Sequence, residues 1–229
     1  MTELALELAS LSPAAALRLL CERYPGRVLF SSSLGQEDQA ITDLICREEL
    51  PIRIFTLDTG RLFPETYELY DRTRARYGRR IEVYFPDSAE TERFVSERGM
   101  NAFYESVESR KACCQIRKVH PLRRALAGGQ VWVTGLRAEQ SEARQDLPQV
   151  EWDAAHQIIK YHPLLHWSHA ELLDYLNTHH VPYNPLHDKG FVSIGCAPCT
   201  RAIEPGEHPR AGRWWWEQSQ KECGLHARS

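Results

Sequence analysis

Seven cysteines sit unevenly along the 229 residues: Cys21 and Cys46 alone, Cys113 and Cys114 adjacent, Cys196 and Cys199 as a CxxC, and Cys223 near the end. The adjacent pair and the CxxC together offer four thiolates from two short segments, a set that holds zinc or an iron–sulfur cluster. Side chains of neighbouring residues diverge, which suits the separate iron corners of a cubane better than one tetrahedral ion. The spacing therefore favours a cluster, with a zinc site or two buried thiol pairs as the alternatives. Cys223 stands in Lys221-Glu222-Cys223-Gly224-Leu225-His226. A thiol attacks as its thiolate, and Lys221, His226 and the upstream Arg210 and Arg213 would lower its pKa. Gly224 leaves the backbone free to present the sulfur. Taken alone, a cysteine in a charged tail is more often incidental than reactive.

The remaining composition narrows the class. An odd cysteine number, with no basic and apolar leader at Met1-Thr2-Glu3-Leu4, argues against a disulfide framework and for the cytoplasm. A net charge of −3 supplies no global field for nucleic acid or an anionic membrane surface, and no apolar run reaches the length of a membrane span. An anionic substrate would need a local basic site. Lys111, Arg117, Lys118, Arg123 and Arg124 flank the cysteine pair, and Arg137 and Arg144 follow the fourth strand. Arg123 and Arg124 read as a solvated helix face; Lys118, one turn beyond Cys114, is placed to lie near a cluster and an anion.

These groups need a scaffold. Leu4, Leu8 and Leu11 give a first short helix one apolar face, and Ser12 with Pro13 starts a second that carries Leu17, Leu20 and Cys21. Residues 28–30, 52–57, 81–85 and 131–133 read as strands. Helices are expected on Ile41, Leu44 and Ile45, from Pro64, and around 88–98 and 109–127. This alternation predicts an α/β fold, a doubly wound and mostly parallel sheet, whose ligands sit at the C-terminal ends of strands. Three segments fall at such ends: the Ser/Gly turn Ser31-Ser32-Ser33-Leu34-Gly35, Asp58-Thr59-Gly60, and Thr134-Gly135-Leu136-Arg137. The serine turn suits an oxyanion through hydroxyls and helix N-terminal amides. By itself it is a common connection, and Glu37 and Asp38 compete for the same dipole. Beyond about residue 185 the pattern gives way to Gly-, Pro- and Trp-rich sequence. The chain thus divides into an α/β body over 1–200, including the cysteine ligands, and a C-terminal arm over 201–229. Three features read as structural: the histidines at 162, 166, 169, 179, 180 and 187 as surface, Trp214-Trp215-Trp216 as an anchor for the arm, and Cys21 and Cys46 as small core residues.

Together the motifs resemble the assimilatory adenylyl-sulfate (APS) reductases, the iron–sulfur branch of the phosphoadenosine phosphosulfate (PAPS) reductase family. The resemblance runs from about residue 28 to the end. It rests on SSSLGQED at 31–38, LDTG at 57–60, FPETY at 63–67, KACCQIRK at 111–118 and TGLRAEQS at 134–141. PYNPLHDKG at 182–190, SIGCAPCT at 193–200, GRWWW at 212–216 and KECGLH at 221–226 complete it. The resemblance implies a fold of the adenine-nucleotide pyrophosphatase type and one [4Fe–4S] cluster on Cys113, Cys114, Cys196 and Cys199. It implies reduction of adenosine 5′-phosphosulfate in sulfate assimilation and cysteine biosynthesis, with thioredoxin as electron donor. Cys223 would be the nucleophile, and Lys118, Arg210, Arg213 and His226 would face the phosphosulfate. Ser31, Ser32, Ser33 and Gly35, with Leu57, Asp58, Thr59 and Gly60, and Gly135, Arg137 and Arg144, would hold the nucleotide. Leu34 stands where many relatives place a different residue. No nucleic acid or membrane partner is expected, and a homo-oligomer is compatible with the pattern. The alternatives are the same reaction on the 3′-phosphorylated substrate, or a non-enzymatic iron–sulfur redox sensor.

Overall fold

The computed structural model describes residues 1–217. Six strands, β1 (Val28–Ser31), β2 (Arg53–Leu57), β3 (Glu82–Tyr84), β4 (Val131–Val133), β5 (Val150–Asp153) and β6 (Ile158–Tyr161), form one sheet in the order β3-β2-β1-β4-β6-β5. β1 pairs in parallel with both β2 and β4, and β4 in parallel with β6, while β5 and β6 form an antiparallel hairpin. The expected doubly wound α/β sheet is therefore present. The hairpin extends it beyond the four strands read from the sequence. Among the described residues, no helix is long and apolar enough to cross a membrane.

The described chain separates into two compact units. The first comprises Met1–Thr56, Pro64–Glu82 and Gly128–Leu186. Its helices are α1 (Thr2–Ala9), α2 (Pro13–Arg23), α3 (Gln36–Arg47), α4 (Pro64–Tyr77) and α8 (His169–Thr178). Ser12 caps α2, its side chain accepting the Ala15 amide at 3.4 Å. Leu4 and Leu8 are buried as their spacing predicts, whereas Leu11 lies beyond the end of α1 and is exposed. One sheet face supplies Val28, Phe30, Val131, Val133, Ile159 and Tyr161 to the core, where they join Leu17, Leu20, Ile41, Ile45 and Leu172 from the helices. Cys21 belongs to this core, as expected, and the partly buried Cys46 packs against it; burial pushes each thiol up to about 11.

The second unit comprises Leu57–Phe63, Val83–Ala127 and the residues from His187 onward. Its helices are α5 (Ser88–Arg98), α6 (Val107–Cys114) and α7 (His120–Leu126). Between α6 and α7 the helix widens into a π turn over Gln115–Val119. Pro121 accounts for this: it has no N–H for the carbonyl four residues back, and its ring would strike that carbonyl in a regular helix. A π turn just beyond Cys113 and Cys114 re-aims the following residues, Arg117 and Lys118 among them.

Candidate active site

In the first unit, the order of the strands creates a switch point between β1 and β4, where successive connections leave in opposite directions. The end of β1 and the loop after it carry Ser31, Ser32, Ser33 and Gly35, and the loop after β4 carries Gly135 and Arg137. Direct contacts bring them together. Arg137 Nε donates to Glu37 Oε1 at 2.9 Å, a pair nearly closed to solvent. A Cβ at Gly135 would lie 2.0 Å from Asp38 Oδ1 and 3.2 Å from Glu37 Cβ, so only glycine lets the two loops approach. Arg144 hydrogen-bonds Gln140, whose Oε1 also accepts the Arg137 amide. Leu34 adopts a left-handed φ of 61° with its side chain buried, an uncommon state for leucine that its packing maintains. Asp38 Oδ2 accepts both the amide and the hydroxyl of Ser33 at 2.6 Å. Burial pushes the Asp38 carboxyl up to about 7 even though those two bonds favour its ionised form.

In the second unit, Cys113, Cys114, Cys196 and Cys199 line one cavity together with Arg61, Phe103, Arg110, Arg117, Lys118, Pro198 and Trp214. α6 ends on the adjacent pair, while a short 3-10 turn over Ala197–Cys199 separates the other two thiols. Thr59 binds both segments: its hydroxyl lies 3.3 Å from Cys196 Sγ, and its carbonyl accepts Arg117 Nη1 at 2.7 Å. Asp58 Oδ1 accepts the Gly60 amide at 2.7 Å, and Gly60 takes a positive φ of 71°, so this turn requires glycine. The Asp58-Thr59-Gly60 segment is thereby joined to the cysteine cavity, an association that separation in sequence does not reveal. Burial raises the Cys113 and Cys199 thiols, the latter to about 12, and neighbouring thiols add to the effect. Arg117 and Arg61 oppose it at Cys113, and Lys118 and Arg213 at Cys199.

Arg210 and Arg213 are both buried. The Arg213 guanidinium packs on the Gly195 backbone and lies 4.8 Å from the Trp214 ring centroid. Trp214 is fully buried with Phe103, Cys196 and Cys199, so the expected anchor is present, while Trp215 is half exposed. Arg110, 4.5 Å from the same ring, forms a closed ion pair with Glu217 at 2.5 Å. Cys223 and His226 lie outside the described residues.

Besides the β5–β6 hairpin, α8 and the burial of His162 are not foreseen from the sequence. α8 was signalled by its capping box, Ser168 with Glu171 three residues on, which the structure forms in both directions. His162 is not surface but wholly buried, with Nδ1 2.7 Å from Thr134 Oγ1 and Nε2 3.5 Å from Glu151 Oε1. It follows directly on the short β6 strand, where no apolar pattern announces a polar side chain turned inward.

No three His, Cys, Asp or Glu side chains among the described residues group tightly enough to hold a single metal ion. Four thiols spread around one cavity and faced by four cations are instead a donor set that fits a multi-iron cluster, since cations offset the charge of clustered thiolates.

Residues 27–202 match the phosphoadenosine phosphosulfate reductase domain. The adenosine 5′-phosphosulfate reductase of Allochromatium vinosum is 56% identical over 94% of this chain and 85% of its own length. That of Burkholderia cepacia is 54% identical over 93% and 85%. Among solved structures, a phosphoadenylyl-sulfate reductase from Candida auris superposes with a TM-score of 0.76 at 29% identity, covering 88% of this chain and 95% of that one. Candida glabrata FMN adenylyltransferase, at 16% identity and a TM-score of 0.56 over 95% of this chain and 76% of its own, shares the fold.

Proposed function

The chain belongs to the phosphoadenosine phosphosulfate reductase family, and from that premise we propose that it reduces adenosine 5′-phosphosulfate to sulfite and AMP in the cytoplasm, as a step of sulfate assimilation toward cysteine. The cavity carries this reading: four thiols, with Lys118 and Arg117 beside them, in the unit that also contains Arg210 and Arg213. The names of relatives at 54–56% identity favour the substrate without a 3′-phosphate.

In the first step the Cys223 thiolate attacks the sulfur of adenosine 5′-phosphosulfate. The S–O bond breaks, AMP departs with that electron pair, and a cysteine S-sulfonate forms. Lys118, Arg210, Arg213 and His226 stabilise the charge that builds on the leaving phosphate and the sulfuryl oxygens. Ser31, Ser32, Ser33, Gly35, Leu57, Asp58, Thr59, Gly60, Gly135, Arg137 and Arg144 hold the nucleotide. In the second step a dithiol attacks Cys223 Sγ, sulfite leaves with the S–S electron pair, and the second thiol closes a disulfide. The two electrons come from that dithiol, for which thioredoxin is the fitting donor. Cys113, Cys114, Cys196 and Cys199 hold a [4Fe–4S] cluster, which when bound supplies a polarising charge beside the anionic substrate.

Incubation with sulfur-labelled adenosine 5′-phosphosulfate tests the reaction. Label should reside on Cys223 and be discharged as sulfite by dithiol; a Cys223→Ser protein that still releases sulfite at the native rate refutes it. Protein purified without air should be coloured, with iron and acid-labile sulfide. Colourless, iron-free protein that is fully active removes the cluster from the account. A clear kcat/KM preference for the 3′-phosphorylated substrate reverses the substrate assignment.

A further inference from the structure

We propose that Trp132 is a positioning residue for the nucleotide phosphate: its indole N–H fixes Ser31 Oγ as an acceptor, so that the Ser31 hydroxyl presents its proton to a phosphoryl oxygen. The inference rests on reading the serine turn as the phosphate loop.

The parallel register sets Leu29 of β1 opposite Trp132 of β4, which places Ser31 one pleat further along the same sheet face. Trp132 is 1% exposed, and its Nε1 donates to Ser31 Oγ at 2.8 Å. An indole N–H only donates, so the serine oxygen accepts and its own proton is directed elsewhere. Ser31 is partly open to solvent at the C-terminal end of its strand, the end at which ligands of such sheets bind.

The indole is itself held in place. Lys160 is the register partner of Trp132 on β6, and Glu151 is the partner of Lys160 on β5. The buried Lys160 Nζ lies 5.0 Å from the Trp132 ring centroid, 3.3 Å from Glu151 and 3.8 Å from Asp153. His156 meets the ring edge-on at 5.6 Å. A cation against the ring draws electron density from it and strengthens the N–H as a donor. A continuous row, Glu151–Lys160–Trp132–Ser31, thus crosses four strands and ends at the turn.

The other two hydroxyls differ from each other. Ser33 donates to Asp38 Oδ2, the oxygen that also accepts its amide, so its proton is committed within the protein. Ser32 Oγ accepts the Leu34 amide at 3.1 Å and keeps its proton for a ligand, as Ser31 does.

The test measures calorimetric binding of AMP and of adenosine, which lacks the phosphate, to the full-length protein. Trp132→Phe removes the donor, and 3-benzothienylalanine at position 132 replaces N–H by sulfur while keeping the ring shape. Each should weaken AMP about five- to tenfold, the worth of one hydrogen bond, and leave adenosine unchanged. Ser31→Ala should lose a similar factor, and the double variant should lose no more. Equal losses for AMP and adenosine, or additive losses in the double variant, overturn the proposal in favour of plain packing. If Ser31→Ala weakens AMP and neither Trp132 variant does, the positioning role fails while the phosphate loop stands. If Ser31→Ala binds AMP normally, the phosphate-loop reading falls and the proposal with it.

Discussion

Replacing Gly195 by alanine tests the packing of Arg213 beside the cysteine cavity. The added Cβ would lie 2.3 Å from Arg213 Nη2, 2.5 Å from Cζ and 2.7 Å from Nη1. Ordinary contact needs about 3.4 Å, so the guanidinium must retreat by roughly 1 Å. Arg213 is buried, leaving it little room to do so. Retreat weakens its contact with Trp214, worth up to about 2 kcal/mol when desolvated, and overpacking adds about 1–3 kcal/mol. Against this, Gly195 is not among the residues of positive φ, so alanine there gains about 0.4–1 kcal/mol from the unfolded chain. The net effect is a loss of about 2 kcal/mol, read as a fall in Tm of about 4–8 °C. Under the role proposed for Arg213 toward the phosphosulfate, turnover should fall about 10- to 100-fold, because a charge displaced by about 1 Å would no longer meet that anion. The decisive measurement is the same substitution in an Arg213→Ala background, where the methyl meets no guanidinium. There Gly195→Ala should become stabilising by about 0.4–1 kcal/mol. An unchanged Tm and full turnover in the single variant, or the same destabilisation in both backgrounds, would refute the reasoning.

Arg110→Ala removes the cation that pairs with the buried Glu217 carboxylate; a loss of about 3–5 kcal/mol is expected in thermal unfolding. The double variant Arg110→Met/Glu217→Leu should recover most of it, and a single variant as stable as the native protein contradicts the assignment. Burial pushes the Asp38 carboxyl up to about 7 in the folded protein, against about 3.9 for an ordinary aspartate. The native state therefore keeps a proton that the unfolded chain releases, and this contribution is complete below about pH 4 and is lost as pH rises through 7. Asp38→Asn should flatten that decline, so that its Tm rises relative to the native protein between pH 5 and 8; parallel Tm curves would show that the group is ionised throughout. Cys21 and Cys46, raised to about 11 by burial, should resist iodoacetamide at pH 7.5 in the native state, as followed by peptide mass spectrometry, and react faster on unfolding; rapid native alkylation of either contradicts its raised thiol.

Much of this protein was legible along the chain because the relevant signals are local. Strand and helix periodicity, a cap such as Ser12, and the order of the alternating elements are set by neighbours a few residues apart, and they announce the doubly wound sheet. Cysteine spacing likewise nominated the four thiols before any of them was placed. What the sequence left open is decided by contacts between distant segments. The β5–β6 hairpin is short and half polar, and its charged Lys160 is retained because Glu151 and Asp153 face it across the ladder. His162 is buried for a similar reason, against Thr134 and Glu151. The links of Thr59 to the two cysteine segments span 137 and 58 residues. Periodicity records which way a side chain points; only the folded chain determines which other segment it meets there, because burial and pairing are properties of two surfaces and not of one.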